Sequence, residues 1–214
     1  MQLPVELNHP SKRLFDLIVA SLAIVILSPI WAACAIAVYR KMGRPVLFRQ
    51  ERPGLHERPF RLLKFRTMRD ENALDGTVAP DGERLTHIGR RLRRASLDEL
   101  PTLWNVVRGD MSLVGPRPLL IRYLPYFTNR ERVRFSARPG ITGLAQVRGR
   151  NALPWSERLA ADIEYVETWN FALDLRILWQ TLGQVVRGQG VVEDTNAVMQ
   201  DLDAERRAKP STYH

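Results

Sequence analysis

Asp98 and Glu99 are adjacent acids of the kind that can divide two roles at one reacting centre, one attacking while its neighbour handles a proton or a metal. They lie in Ala95-Ser96-Leu97-Asp98-Glu99-Leu100-Pro101, after the basic run Arg90-Arg91-Leu92-Arg93-Arg94 and before Leu103-Trp104-Asn105-Val106-Val107. Ser96 and Glu99 have the spacing of a capping box, which predicts a helix that begins here with both acids in its first turn. Unpaired N–H groups and the helix dipole favour anions at that place. Neighbouring helical residues point about 100° apart, so one carboxylate could attack while the other serves the same centre differently. An ordinary acidic first turn is the plain alternative, and the flanking sequence has to decide.

Cations recur on both sides. Phe60-Arg61-Leu62-Leu63-Lys64-Phe65-Arg66-Thr67-Met68 reads as a strand whose alternation puts Lys64 and Arg66 on one face and Phe65 on the other. Two cations side by side suit a phosphate-bearing ligand, although a solvated strand face has the same pattern. Before it, Pro45 to Gln50 reads as a short strand and Glu51-Arg52-Pro53-Gly54 as a turn. Arg117 stands between Pro116 and Pro118, each of which fixes its own φ, while Pro118 biases Arg117 towards an extended backbone. A guanidinium on so stiff a loop loses little entropy on gripping a diphosphate or a base edge. Arg138 to Asn151 is a glycine-punctuated loop or strand with further cations, and its glycines permit close backbone approach to a ligand.

The elements that must position these groups are of two kinds. From Leu17 to Tyr39 the chain runs 23 residues without a charge, enough for the roughly 20 that cross a bilayer. A cleaved secretory signal does not fit, because Arg40-Lys41-Met42-Gly43-Arg44 follows where a small-residue cleavage site belongs. A buried globular helix is the other alternative. Lys12 and Arg13 before the run and Arg40, Lys41 and Arg44 after it make both flanks basic, so charge selects no orientation and both ends can lie on the cytoplasmic side. Ser28-Pro29 at the centre predicts a break: proline lacks the N–H, and Ser28 could bond the freed carbonyl. Physics alone leaves open a kinked spanning helix and a helix that enters and leaves through one leaflet. Asp16 is expected near the headgroups, paired with Lys12 or Arg13.

The second kind is polar and globular. Residues 69–83 read as a mobile loop, and Leu85 to Leu92 as a basic helical stretch. Residues 119–135 and 155–168 read as amphipathic helices, as does Leu173 to Val186 with Leu175, Leu178, Trp179, Leu182 and Val185 on one side. Trp169, Phe171 and Trp179 suit either a bilayer interface or a core. The tail from Gly188 has mixed charge and reads as partly disordered. In all, the 214 residues predict an α+β fold, mostly helical with a small β element. The division is a leader with a broken membrane helix (1–44), a catalytic domain (45–187) and a tail (188–214). Net charge is +9, from 32 Lys and Arg against 23 Asp and Glu, which points to nucleic acid, an anionic membrane or phosphorylated substrates. The single cysteine, Cys34, excludes an internal disulfide.

Five short stretches in order then acquire a joint meaning: Lys12-Arg13-Leu14-Phe15-Asp16; Lys64 to Met68; Ser96 to Pro101; Gly115-Pro116-Arg117-Pro118; and Arg138-Pro139-Gly140-Ile141-Thr142-Gly143. Behind one apolar segment broken at Ser28-Pro29, this order resembles the bacterial sugar transferase family, the monotopic phosphoglycosyl transferases, over roughly residues 11–188. The resemblance implies transfer of a sugar 1-phosphate from a UDP-sugar to undecaprenyl phosphate with release of UMP, through an aspartyl–phosphosugar intermediate. On the matching positions it implies Asp98 as nucleophile, Glu99 as acid/base partner and magnesium near Asp98. Lys64, Arg66, Pro116, Arg117, Pro118, Gln146 and Arg150 are the candidate substrate-binding residues. It also implies a re-entrant helix broken at Ser28 and Pro29, and a place on the cytoplasmic face of a bacterial inner membrane in contact with its lipid. The compact form, without the extra spans and nucleotide-fold domain of larger relatives, is what the first dozen residues lead one to expect; a homo-oligomer is left open.

The competing class is a membrane-tethered basic protein that binds nucleic acid or anionic lipid without catalysis. The run Arg90 to Arg94 favours it, but the chain has no recognisable nucleic-acid module and no interleaved basic and aromatic platform, so no nucleic-acid partner is expected.

Overall fold

The computed structural model describes residues 9–69, 84–149, 153–187 and 201–208. The stretch read as a mobile loop therefore lies, apart from Arg69, outside the described residues, as do Arg150 and most of the tail. The architecture is α+β. Two helices, α1 (Pro10–Ile26) and α2 (Ser28–Met42), precede an antiparallel hairpin of β1 (Leu47–Pro53) and β2 (Pro59–Phe65). Helix α3 (His87–Arg94), a 3₁₀ turn at Leu97–Glu99 and α4 (Thr102–Arg108) lead to β3 (Ser112–Val114). Two 3₁₀ segments, Ile121–Tyr126 and Glu131–Ser136, precede β4 (Gly140–Thr142), which pairs in parallel with β3. Helices α5 (Leu144–Arg148), α6 (Trp155–Thr168), α7 (Phe171–Val186) and α8 (Leu202–Ala208) complete the described chain.

The break between α1 and α2 bends the pair by 64°. Its cause is local. Pro29 has no N–H for the carbonyl of Val25, and the Ser28 hydroxyl donates to that oxygen instead (2.8 Å). No single described helix is long and apolar enough to cross a membrane. What distinguishes α1 is which way its faces point. Lys12, Asp16 and Ala20, spaced by four, are buried against the domain, while Leu14, Ile18, Leu22, Val25 and Ile26 face outward. A helix that docks its polar stripe and exposes its apolar one has the reverse of the usual globular pattern.

That docking changes the partners of Asp16. It is 2% exposed and accepts from the Ser112 hydroxyl (2.7 Å) and the Leu113 amide (3.2 Å) rather than pairing with Lys12 or Arg13, and so stitches α1 to β3. Arg13 donates to the carbonyls of Val106 (2.5 Å) and Val107 (2.8 Å) near the C-terminal end of α4. Lys12 forms a buried ion pair with Asp174 of α7, whose carboxylate also accepts from the Tyr165 hydroxyl (2.8 Å) and Trp169 Nε1 (3.1 Å). Trp169 is thus a core residue, while Trp179, 77% exposed, continues an outward apolar stripe with Leu175, Leu182 and Val186. Removing one partner of a buried pair leaves an uncompensated charge. Lys12→Met is expected to lower stability by about 3 kcal/mol, read by denaturant unfolding in detergent. Adding Asp174→Asn, a neutral acceptor for Tyr165 and Trp169, is expected to recover most of the loss. Equal stability of the single variant and wild type would show that the pair does not anchor α1.

Several boundaries move. The first strand extends to Pro53, and the turn falls at residues 54–58. The expected helix over 119–135 is two 3₁₀ segments, with Pro125 inside the first. The stretch after Arg138 divides into β4 and α5, and its glycines allow close approach of the chain to itself. A Cβ at Gly140 would fall 2.1 Å from the Gly115 nitrogen, and one at Gly115 would fall 2.3 Å from the Arg138 carbonyl. Only glycine lets the loop of Arg117 lie this close to β4. Part of the tail also folds. Leu202 of α8 is fully buried with Tyr123, Phe127, Phe135, Trp155 and Leu159, and Arg206 pairs with Glu131 (2.6 Å).

Candidate active site

Asp98 and Glu99 occupy the 3₁₀ turn between α3 and α4, but not as a capping box. Ser96 adopts a left-handed conformation (φ 55°) and its side chain makes no cap; the α-helix begins only at Thr102. Pro101, just before it, has no N–H to donate back into the turn, and a left-handed Ser96 turns the chain out of α3. The two acids are therefore presented by a tight turn rather than by a helix terminus.

The turn lies on the wall of a long cleft bounded by β1–β2, α3, the Gly115–Pro118 loop, α5 and α6. Lys64, Arg66, Asp98, Glu99, Arg117 and Gln146 all line it. On β2, Lys64 and Leu62 share the face that strand alternation turns to the cleft, while Phe65 at the strand's end and Arg66 just past it line the cleft as well. Lys64 Nζ donates to Glu99 Oε1 (2.6 Å), and Arg117 Nη2 donates to the same oxygen (3.1 Å). Arg66 also reaches the cleft, while its guanidinium donates to the carbonyls of Met68 (3.2 Å) and Met42 (3.3 Å), tying β2 to the end of α2. Pro116 and Pro118 stand behind Arg117. The Pro116 carbonyl accepts from the Gly140 amide (3.0 Å), and that of Pro118 accepts from Arg52 Nη1 (3.2 Å). Arg150 lies outside the described residues.

Electrostatics separate the two acids. Burial pushes the Asp98 carboxyl up, and the charge of Glu99 pushes it further; Lys64, Arg93 and Arg117 pull it back only in part. Burial alone would raise Glu99 too, but Lys64 and then Arg117 outweigh it and hold it at about 2. The Glu99 charge in turn raises Arg117 above its ordinary value. Glu99 is thus a fixed anion clasped by two cations, and Asp98 a buried carboxylate, 8% exposed, that accepts no hydrogen bond among the described residues.

Two cleft residues escape the sequence reading. Arg93 donates to the Thr67 hydroxyl (3.1 Å) and adds positive field at Asp98; it belongs to a run whose individual members carry no distinguishing signal. Asp162 is 3% exposed and takes Arg134 Nη2 on Oδ2 (2.7 Å), while the same Nη2 donates to the Arg117 carbonyl (2.7 Å). A signal for it exists, since an acid three residues after Leu159 and four before Val166 falls on the apolar face of α6.

No described group of three or more His, Cys, Asp or Glu residues is arranged to hold a metal. Magnesium does not need one: it keeps waters and takes one or two carboxylates with substrate phosphate. Asp98, with its unbonded carboxylate beside a second acid, fits that requirement. Arg117→Lys is expected to cut turnover by roughly tenfold or more, the scale of a lost charge-assisted hydrogen bond. Steady-state assays at saturating donor check it, and full activity in the lysine variant would reduce Arg117 to a source of charge.

The chain matches the family model for bacterial sugar transferase over residues 7–188. It is 49% identical over 187 residues to an uncharacterized sugar transferase, EpsL, of Bacillus subtilis, covering 87% of this chain and 92% of that protein. It is 44% identical over 181 residues to a UDP-glucose:undecaprenyl-phosphate glucose-1-phosphate transferase of Caulobacter vibrioides, covering 80% and 68%. With the exopolysaccharide production protein ExoY of Rhizobium meliloti the identity is 35% over 197 residues, covering 84% and 87%.

Proposed function

The chain belongs to the bacterial sugar transferase family, and from that premise we propose that it moves a sugar 1-phosphate from a UDP-sugar to undecaprenyl phosphate with release of UMP. The observation that carries the reading is the Asp98–Glu99 turn set among Lys64, Arg93 and Arg117 in one cleft. A carboxylate attacks phosphorus only where cations neutralise the phosphates, and here they stand within reach of both acids.

In the first half-reaction a carboxylate oxygen of Asp98 bonds to the phosphorus that carries the sugar. The bond from that phosphorus to the bridging oxygen breaks, and UMP leaves with the electron pair. In the second, a phosphate oxygen of undecaprenyl phosphate bonds to the same phosphorus and the Asp98 carboxylate departs. Lys64 and Arg117 bind the diphosphate, while Glu99, released from them, handles the proton of the incoming lipid phosphate. Magnesium, held by Asp98, supplies further neutralisation of phosphate charge when bound.

The site serves a lipid acceptor because the domain is tied to a bent apolar helix pair. The 64° bend, the Ser28–Val25 bond, the outward apolar face of α1 and the basic flanks support a re-entrant segment with both ends on the cytoplasmic face of the inner membrane. The exposed apolar stripe of α7 supports contact with that membrane as well. The test is UMP release from a panel of UDP-sugars with undecaprenyl phosphate and magnesium. Turnover with one donor is expected. No release from any donor, together with tight binding to anionic vesicles or nucleic acid, would overturn the enzyme in favour of a binding protein.

A further inference from the structure

The cleft contains polar atoms that the chemistry above leaves unused. Gln146 on α5 is 5% exposed, and neither its Oε1 nor its Nε2 has a hydrogen-bond partner among the described residues. Asp162, equally buried, uses Oδ2 for Arg134 and leaves Oδ1 unpartnered. Both residues line the same cleft as Asp98 and Arg117. A buried amide with both ends unpaired is costly, and a ligand that pairs with both ends removes that cost. The amide's place is set by the Arg117 loop. A Cβ on Gly143 would meet Gln146 Oε1 at 2.8 Å and the Gly115 carbonyl at 2.2 Å, which puts the amide beside the base of that loop. Arg134 bridges the Arg117 carbonyl to Asp162, so Asp162 is tied to the backbone of the Arg117 loop, while the Arg117 guanidinium reaches Glu99.

We infer that Gln146 and Asp162 form the nucleoside end of the donor site, with the Gln146 amide pairing with the uracil imide edge and Asp162 Oδ1 accepting from a ribose hydroxyl. The inference rests on the UDP-sugar reading and assigns one part of that substrate. The chemistry matches in sense. Uracil offers a carbonyl oxygen beside N3–H, and a primary amide offers N–H beside a carbonyl oxygen, so the two edges make two hydrogen bonds at once. With the diphosphate on Lys64 and Arg117, Gln146 and Asp162, which line the same cleft and are held at the Arg117 loop, meet the part of the donor that extends from the phosphate on that loop. A site built to satisfy such an edge discriminates strongly, because a ligand lacking it leaves the amide unpaired.

The test uses UMP and ribose 5-phosphate as probes of the full chain in detergent. Because Asp162→Asn disturbs the buried pair with Arg134, the decisive variant is Gln146→Met. It removes two unpaired polar atoms at similar volume and is expected to melt no lower than wild type. Its affinity for UMP is expected to fall about tenfold or more, the scale of two lost hydrogen bonds, with ribose 5-phosphate affinity unchanged. Equal loss for both probes would place the amide on phosphate or ribose. Unchanged UMP affinity with a raised KM for the UDP-sugar would place it on the sugar. Either result overturns the assignment while leaving the transferase reading intact. Wild-type protein that neither binds UMP nor releases it from any donor would overturn both.

Discussion

Asp98→Asn is expected to release no UMP and to carry no phosphosugar when UDP-sugar is supplied without lipid acceptor. Under the same conditions wild type is expected to release about one equivalent and then stop, as a two-step scheme requires. Asparagine keeps the shape of the side chain but has no anionic oxygen to attack with, so turnover should fall by about a thousandfold or more. The structure makes this variant interpretable. Asp98 accepts no hydrogen bond among the described residues, and burial already raises its carboxyl, so a neutral replacement costs the fold little. UMP binding by the variant should persist, because Lys64 and Arg117 are untouched. Intact mass spectrometry of acid-quenched wild type, then peptide mapping, locates the adduct. Mapping to Glu99 would reverse the roles of the two acids. UMP release that strictly required the lipid would favour direct transfer in a ternary complex, with both carboxylates reduced to metal binding.

What the sequence disclosed and what it hid differ in range. The break at Ser28-Pro29 was legible because its cause and its remedy lie within four residues, and the structure places the Ser28 hydroxyl on the carbonyl that Pro29 cannot serve. The strand face of Lys64 was legible for the same reason, since alternation is a local property. The Ser96–Glu99 spacing of a capping box is also compatible with a 3₁₀ turn, and the left-handed backbone of Ser96 selects the turn. Pairings across the chain have no local signature. Lys12 meets Asp174 and Asp16 meets Ser112 only because α1 turns its polar stripe inward. The same holds for the glycines, whose close approach is to the neighbouring backbone of Gly115 and β4. It holds for Asp162 as well, whose tie to the Arg117 backbone runs through Arg134.

Glu99→Gln is expected to bind UMP more tightly than wild type, by severalfold, while its turnover falls by roughly a hundredfold, the usual scale for lost acid–base assistance. The opposed signs follow from one oxygen. Glu99 Oε1 accepts from both Lys64 Nζ and Arg117 Nη2, the two cations that the donor phosphates require. Glu99 therefore holds the place on both cations that a phosphate oxygen has to take, and held at about 2 it is a carboxylate throughout the physiological range. A diphosphate must draw both cations away from it, against the charge of Glu99 itself. Glutamine keeps the length of the side chain and one acceptor but removes that charge, so the cations become freer and the phosphate binds better. Turnover suffers because a released Glu99 is then the group left beside the reacting centre with a proton site, and glutamine has none. Calorimetric titration with UMP alongside steady-state kinetics separates the possibilities. A residue that only held the cleft together would weaken binding and turnover in parallel, so a loss of UMP affinity in Glu99→Gln would sink the exchange of Lys64 and Arg117 between Glu99 and the donor.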